Sequence, residues 1–153
     1  MGESRNKPII CVDFDGVIHS YDKGWQDGRI YGEVIEGFFD WAEKAKNDFK
    51  LVVYSSRSKD KELSEAMENW VYEKYTEWLK TEHTKKGLEK SNSETAAERL
   101  FHNTFEFSAE KPAAFVTIDD RAITFKGNWY SELLSPEALK TFKPWNKMWE
   151  DLL

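Results

Sequence analysis

Two short apolar segments of this chain end directly in acidic residues. "PIICVDFD" brings Asp13 and Asp15 to the end of one segment, and "AAFVTIDD" brings Asp119 and Asp120 to the end of another. Each segment is short, apolar and rich in β-branched residues, so each predicts a buried strand rather than a helix. Because a charge is costly to bury without a partner, acids at the ends of two such strands indicate a function.

Helical patterns alternate with the predicted strands. Apolar residues recur at helical spacing over 34–47 and 61–80, and a further apolar strand over 49–58 lies between these two segments. A short helix near 95–102 and a short strand in "TFEFSAEKP" follow. This alternation predicts an α/β layered fold with a mostly parallel central sheet.

The segments that join these elements predict a single domain over residues 1–153, because no linker divides the chain. Residues 18–33 contain several glycine turns, which favour a short flap after the first strand. We expect no large cap domain, although the helical segment 61–103 is a candidate for partial cover. Residues 82–95 are predicted as a solvated loop.

The end of the chain is predicted as a helix over about 136–153. Ser135 and Pro136 form an N-cap and first-turn pair, and apolar residues from Trp145 onward recur at helical spacing. We expect this helix to pack on the domain.

Charge and composition exclude several classes of protein. The net charge of −6 argues against non-specific binding of nucleic acid, although a local basic pocket for a small or terminal phosphate remains open. No apolar run approaches the roughly 18 residues that span a bilayer, and no hydrophobic signal follows "MGESRNK", so we expect a cytoplasmic protein without a membrane partner.

The single cysteine, Cys11, is predicted to be a core thiol.

The polar strand ends point to phosphoryl transfer. In open parallel sheets such ends share one crevice, and here they carry Asp13 and Asp15, Ser55, Lys111, and Asp119 and Asp120. Four carboxylates in one crevice repel each other unless a cation joins them, and an all-oxygen set suits Mg²⁺. A carboxylate nucleophile, a proton-transfer group, a hydroxyl and an ammonium then suit a phosphate ester. No Ser-His-Asp or Cys-His arrangement and no zinc-ligand spacing is present.

The order of these residues resembles the four motifs of the haloacid dehalogenase superfamily. The motifs are Asp13-Phe14-Asp15-Gly16-Val17 after a strand, Ser55 ending "LVVYS", Lys111 in "EKP", and Asp119-Asp120 ending "FVTIDD". The Asp-x-Asp-x-Val form resembles the phosphatase branch. "DFDGVIHSY" together with "IDDRAITFKGNW" is similar to small hydrolases of this type from phages and bacteria, and the resemblance covers about residues 8–130.

The resemblance implies a Rossmann-like fold and a Mg²⁺-dependent phosphomonoesterase. Asp13 would attack phosphorus to form an aspartyl-phosphate, and Asp15 would protonate the leaving oxygen and then activate water. Ser55 and Lys111 would bind the phosphoryl group. Mg²⁺ would be held by Asp13, the backbone carbonyl of Asp15, Asp119 and, directly or through water, Asp120.

Some assignments have alternatives. Lys111 stands eight residues before Asp119, a shorter interval than most members of the superfamily have, so Lys126 is a second candidate for the phosphate-binding lysine. The candidate substrate contacts are Gly16, His19, Ser56 and Arg57. Gly16 is expected to supply backbone freedom beside the phosphate. His19 is equally suited to holding the flap together, and Arg57 to pairing with a local acid.

The function also has an alternative, which is a phosphate- or Mg²⁺-binding module of the same fold with little or no turnover. A two-component receiver domain is disfavoured, because there the adjacent acid pair follows the first strand, whereas here it comes last. An accessible crevice suits a nucleotide, a nucleic-acid end, a phosphorylated macromolecule or a sugar phosphate. The similarity to phage hydrolases favours a nucleotide or polynucleotide phosphate.

Overall fold

The sheet is all-parallel. A computed structural model describes residues 7–85 and 94–147, in which the strands are β1 (Ile9–Val12), β2 (Lys50–Val53), β3 (Phe105–Phe107) and β4 (Val116–Ile118). Their order in the sheet is β3-β2-β1-β4, and each neighbouring pair is parallel. The predicted α/β class with a parallel sheet is therefore confirmed, in the layered arrangement of Rossmann-like folds.

The described residues form four α-helices beside the sheet, namely α1 (Phe38–Ala45), α2 (Lys61–Lys85), α3 (Glu94–Thr104) and α4 (Pro136–Lys140). Helix α1 begins later than the predicted residue 34, because Gly37 before it has a left-handed φ of 91° that a helix cannot contain. The predicted loop over 82–95 is shorter than expected, since α2 continues to Lys85. Residues 86–93 of that loop lie outside the described residues. None of the described helices combines the length and apolarity that crossing a membrane requires.

One aromatic-rich core joins the first three helices to the sheet. It contains Ile10, Val12, Phe39, Leu51, Val53, Met67, Val71, Tyr75, Phe101 and Phe105. The ring of Phe105 on β3 lies 6.2 Å from Phe39 on α1, 5.7 Å from Tyr75 on α2 and 5.6 Å from Phe101 on α3, between ring centroids. Helices α2 and α3 therefore belong to the main core and pack on the sheet.

Strand β4 differs from its prediction as a buried strand. Val116 is 45 % exposed and Ile118 39 % exposed. The strand lies at the edge of the sheet with β1 as its neighbour, and none of its residues joins the core that α1, α2 and α3 share. Edge position alone does not explain this exposure, because β3 lies at the opposite edge and its Phe105 is buried. The core that α1, α2 and α3 share includes β3 and does not include β4.

The predicted terminal helix over 136–153 is wrong in its length. Ser135 does cap the helix, because its Oγ accepts the Ala138 N–H, and Pro136 occupies the first turn. The helix nevertheless ends at Lys140. Pro144 lacks the N–H that a continuing helix needs, and it disfavours helical backbone at the preceding residue. Residues 145–147 form one 3-10 turn, and residues 148–153 lie outside the described residues.

The predicted flap over 18–33 leaves the sheet directly after β1 and is closed at its base. His19 and Val34 form an antiparallel bridge, and the Ser20 N–H donates to the Glu33 carbonyl at 3.0 Å. A 3-10 turn over Glu132–Leu134 precedes α4.

Candidate active site

The candidate site lies where the direction of the chain across the sheet reverses. From β1 the chain moves to β2 and β3 on one side, and it then returns to β4 on the other side of β1. In open α/β sheets the crevice at such a reversal, outside the carboxyl ends of the strands, binds ligands. The Asp13 N–H donates to the Ile118 carbonyl at 3.0 Å, so the chain just after β1 lies against the end of β4. The first and last acidic motifs are thereby brought together.

Three of the four predicted acids form a cluster, which consists of Asp13, Asp119 and Asp120. Each can offer one carboxylate oxygen, and the three oxygens lie within 4.8 Å of one another. The Asp120 side chain is 2 % exposed, and neither of its oxygens has a hydrogen-bond partner within the described ranges. The Nε of Arg121 lies 3.9 Å from Asp120 Oδ2 on a side chain that is 59 % exposed, which is a weak compensation.

Electrostatics make this cluster unfavourable without a cation. Burial raises the pKa of Asp13 to about 8, and the neighbouring charges of Asp119 and Asp120 contribute to the rise. Burial also raises the pKa of Asp120. A divalent cation relieves such repulsion, and a donor set made only of carboxylate oxygens is one that Mg²⁺ accepts. The residues present therefore fit the predicted ion.

Gly16 is required by the cluster itself. Its φ of 83° lies in the left-handed region, and a β-carbon at this position would overlap the carboxylate of Asp120. The expectation that Gly16 supplies backbone freedom agrees with this conformation. The group that approaches its α-carbon is Asp120.

The side chain of Asp15 does not belong to the cluster, and its predicted metal contact through the backbone carbonyl stays a prediction. Its Oδ2 accepts the Arg57 Nε–H at 2.8 Å, and its Oδ1 accepts Arg57 Nη2 at 3.2 Å and His19 Nδ1 at 2.9 Å. Because the Gly32 N–H donates to His19 Nε2, the ring proton lies on Nδ1 and faces Asp15. Burial alone would raise the pKa of Asp15, but the hydrogen bonds from His19 and Arg57 outweigh it and hold the pKa below its ordinary value.

His19 and Arg57 are fully buried and both bind Asp15, and their predicted contact with substrate stays a prediction. Arg57 also donates through Nη1 to the Gly28 carbonyl at 2.7 Å, and its guanidinium carbon lies 4.9 Å from the ring centroid of Trp25. The alternative that Arg57 pairs with a local acid is confirmed. Both residues orient Asp15, and Ser56, another predicted contact, is exposed beside them.

The predicted phosphoryl-binding residues are less closely assembled. Ser55 is buried, and its Oγ accepts the Arg57 backbone N–H at 3.2 Å. Lys111 and Lys126 are both exposed, and within residues 7–85 and 94–147 neither forms an ion pair with Asp13. The choice between the two lysines stays a prediction.

One residue at the site was absent from the sequence analysis as a site residue. The Trp145 indole N–H donates to the Gly16 carbonyl at 2.7 Å, which places the end of the described chain beside the first motif. The two residues are 129 positions apart, and no local pattern signals such a contact. The one clue in the sequence was that Trp145 comes directly after Pro144, a residue that disfavours a continuing helix.

Comparison of this chain with protein-family models, curated proteins and solved structures finds no match.

Replacing Arg57 with Met should destabilise the protein by about 3 kcal/mol or more, because it leaves Asp15 partly buried with one of its three donor contacts. Urea unfolding measures the loss. Arg29→Met is the matched control, since Arg29 is an exposed arginine of the flap whose side chain bonds one nearby carbonyl, and it should change stability by less than about 0.5 kcal/mol. Similar losses in the two variants would contradict the role of Arg57.

Proposed function

We propose that this protein is a Mg²⁺-dependent phosphomonoester hydrolase of the haloacid dehalogenase type, which acts through an aspartyl-phosphate. The acid cluster is the observation that supports the proposal. Asp13, Asp119 and Asp120 converge at the reversal point of the sheet, and the buried oxygens of Asp120 lack a donor among the described residues. Such a cluster suits a divalent cation, and phosphoryl transfer depends mainly on positioning and on the neutralisation of charge.

The proposed ion site uses the side chains of Asp13, Asp119 and Asp120, with the backbone carbonyl of Asp15 as a further ligand. When bound, Mg²⁺ supplies charge neutralisation for the carboxylates and for the phosphoryl oxygens. Among the described residues no Lys, Arg or His forms an ion pair with Asp13, so this neutralisation would come from the ion.

The chain's own residues then divide the reaction into two steps. A carboxylate oxygen of Asp13 attacks phosphorus, the bond from phosphorus to the ester oxygen breaks, and the leaving oxygen takes a proton from Asp15. Because His19 and Arg57 hold the pKa of Asp15 below its ordinary value, Asp15 must take up that proton before this step. In the second step water attacks the phosphorus, gives its proton to Asp15 and releases phosphate from Asp13. His19 and Arg57 fix the orientation of Asp15 for both transfers.

Hydrolysis of a generic aryl phosphate tests this proposal, because its leaving group needs little protonation. We expect turnover with Mg²⁺, a loss of at least about 10²-fold in EDTA, and recovery when Mg²⁺ is restored. Nucleotides, 3′- and 5′-phosphorylated oligonucleotides and sugar phosphates should be assayed beside it. Activity that persists in EDTA would contradict the proposal, and a clear preference for sugar phosphates would contradict the expected nucleotide or polynucleotide substrate.

A second candidate is a phosphate- or Mg²⁺-binding module with little or no turnover. It is favoured by the engagement of Ser55 Oγ with the Arg57 backbone and by the lack of an ion pair between Lys111 and Asp13 in the described part of the chain. Stabilisation by Mg²⁺ without turnover of any phosphate ester in the panel would select this module.

A further inference from the structure

The last described residues of the chain bind the loop that follows β1. Trp145, Asn146 and Lys147, which we call the clasp, each donate from the side chain to backbone carbonyls. Trp145 Nε1 binds Gly16 O at 2.7 Å, Asn146 Nδ2 binds Ser20 O at 3.1 Å and Tyr21 O at 3.4 Å, and Lys147 Nζ binds Asp22 O at 2.9 Å. Three consecutive residues thus hold one short loop along its length.

Gly16 is the point at which the clasp meets the acid cluster. The carboxylate of Asp120 packs against its α-carbon, and the Trp145 indole binds its carbonyl oxygen. Residues 121–144 therefore connect two residues that both contact Gly16. The Gly16 carbonyl lies in the peptide that joins Gly16 to Val17, and Asp15 is attached on the other side of the Gly16 α-carbon. A shift of that carbonyl that moves the α-carbon therefore displaces Asp15 through the preceding peptide and changes the space that Asp120 occupies.

The loop that the clasp holds has a strained backbone. Tyr21 has a φ of 53°, a region that residues with side chains seldom adopt. Its carbonyl accepts the Gly24 N–H at 3.1 Å as well as Asn146 Nδ2. Strained conformations persist where surrounding contacts determine them, and the clasp supplies such contacts from a distant part of the chain.

We propose that Trp145 is a positioning residue for the acid cluster, which acts through the carbonyl oxygen of Gly16. By holding this peptide, its indole N–H sets the placement of Asp15 and the fit of Asp120 against the loop. The inference rests on the proposed function. It adds the clasp, which lies outside the sheet and outside the four strand ends that carry the acidic and polar residues.

Trp145→Phe tests this role, because it keeps an aromatic ring and removes the N–H. We expect kcat for the aryl phosphate to fall about tenfold with KM changed by less than about twofold, since small misplacements of reacting groups act on kcat. The Mg²⁺ concentration that gives half of the maximal thermal stabilisation should rise several-fold. Trp129→Phe is the matched control, since Trp129 lies in the same part of the chain, is 77 % exposed and makes no hydrogen bond in the ranges that the structure describes.

Two outcomes separate the positioning role from the proposed function. If the wild type turns over phosphate esters and Trp145→Phe equals Trp129→Phe in kcat, KM and Mg²⁺ dependence, the positioning role is overturned. If the wild type has no turnover but Trp145→Phe still weakens stabilisation by Mg²⁺, the positioning role stands and the hydrolase does not. Should Trp145→Phe fail to fold, Asn146→Ala loosens the same loop at Ser20 and Tyr21, and an unchanged Mg²⁺ dependence in that variant overturns the proposal.

Discussion

Replacing Asp13 with Asn should lower kcat on an aryl phosphate by about 10³-fold or more, equivalent to about 4 kcal/mol of lost transition-state stabilisation. The amide has nearly the same shape as the carboxylate, but it cannot form the aspartyl-phosphate. Burial and neighbouring acids raise the pKa of Asp13, so the neutral amide should leave the metal-free protein at least as stable as the wild type. Steady-state kinetics and urea unfolding in EDTA measure the two effects separately.

The control for this variant is Asp48→Asn, which neutralises an exposed acid after α1 and should leave kcat unchanged. Mass spectrometry of wild-type protein quenched in acid during turnover should find a phosphoryl group on the peptide that contains Asp13, and the Asn variant should lack it. Residual activity within about tenfold of the wild type would remove Asp13 from the nucleophile's role.

The strands of this fold were partly predictable because their signal is local. Cys11 and Val52 lie within uninterrupted apolar runs, and both are buried in β1 and β2. Val116 and Ile118 lie in an equally apolar run, yet both are exposed. The difference is the order of strands in the sheet, which depends on contacts between distant segments and is absent from any single run.

The end of the chain illustrates a competition between two signals. The apolar spacing from Trp145 onward has the period of a helix, but Pro144 stands immediately before it and cannot donate a backbone hydrogen bond. The observed 3-10 turn frees the indole of Trp145 to reach Gly16. If Pro144 is given more weight than the helical spacing, the predicted helix ends before residue 144. The contact between Trp145 and Gly16 is still not predicted.

The acid cluster was predictable and the surroundings of Asp15 were not. Acids that follow two apolar strands place Asp13, Asp119 and Asp120 at the carboxyl edge of a parallel sheet. Their convergence there depends on the pairing of β1 with β4. The bond from Arg57 to Asp15 spans 42 residues, and it needs the turn after β2 and the flap to meet. Sequence patterns identify the polar residues of a site. They are less able to identify which of those side chains face the solvent.

Replacing Asp120 with Asn should stabilise the metal-free protein and remove most of its stabilisation by Mg²⁺. Both oxygens of Asp120 are buried without a partner within the described residues, and an amide lacks the charge and adds donors that can face Asp13 and Asp119. Relief of one unsatisfied buried group is worth about 1–3 kcal/mol, or about 2–10 °C in Tm for a chain of this size. Saturating Mg²⁺ should raise the wild-type Tm by about 5–10 °C and that of the variant by much less.

The dependence of this effect on pH follows from the raised pKa of Asp13, which lies at about 8 against an ordinary 3.8. Between these two values the folded protein binds a proton that the unfolded chain releases, so the metal-free stability falls as the pH rises from about 5 to 8. Mg²⁺ competes with that proton, and its stabilisation should therefore grow over the same range. In thermal unfolding with EDTA or with Mg²⁺, Asp120→Asn should flatten both the fall of metal-free stability with pH and the growth of the Mg²⁺ stabilisation with pH. The control Asp27→Asn, at an exposed flap position, should change neither trend. A metal-free Tm that falls in Asp120→Asn, together with an unchanged Mg²⁺ shift, would mean that these acids do not share an ion.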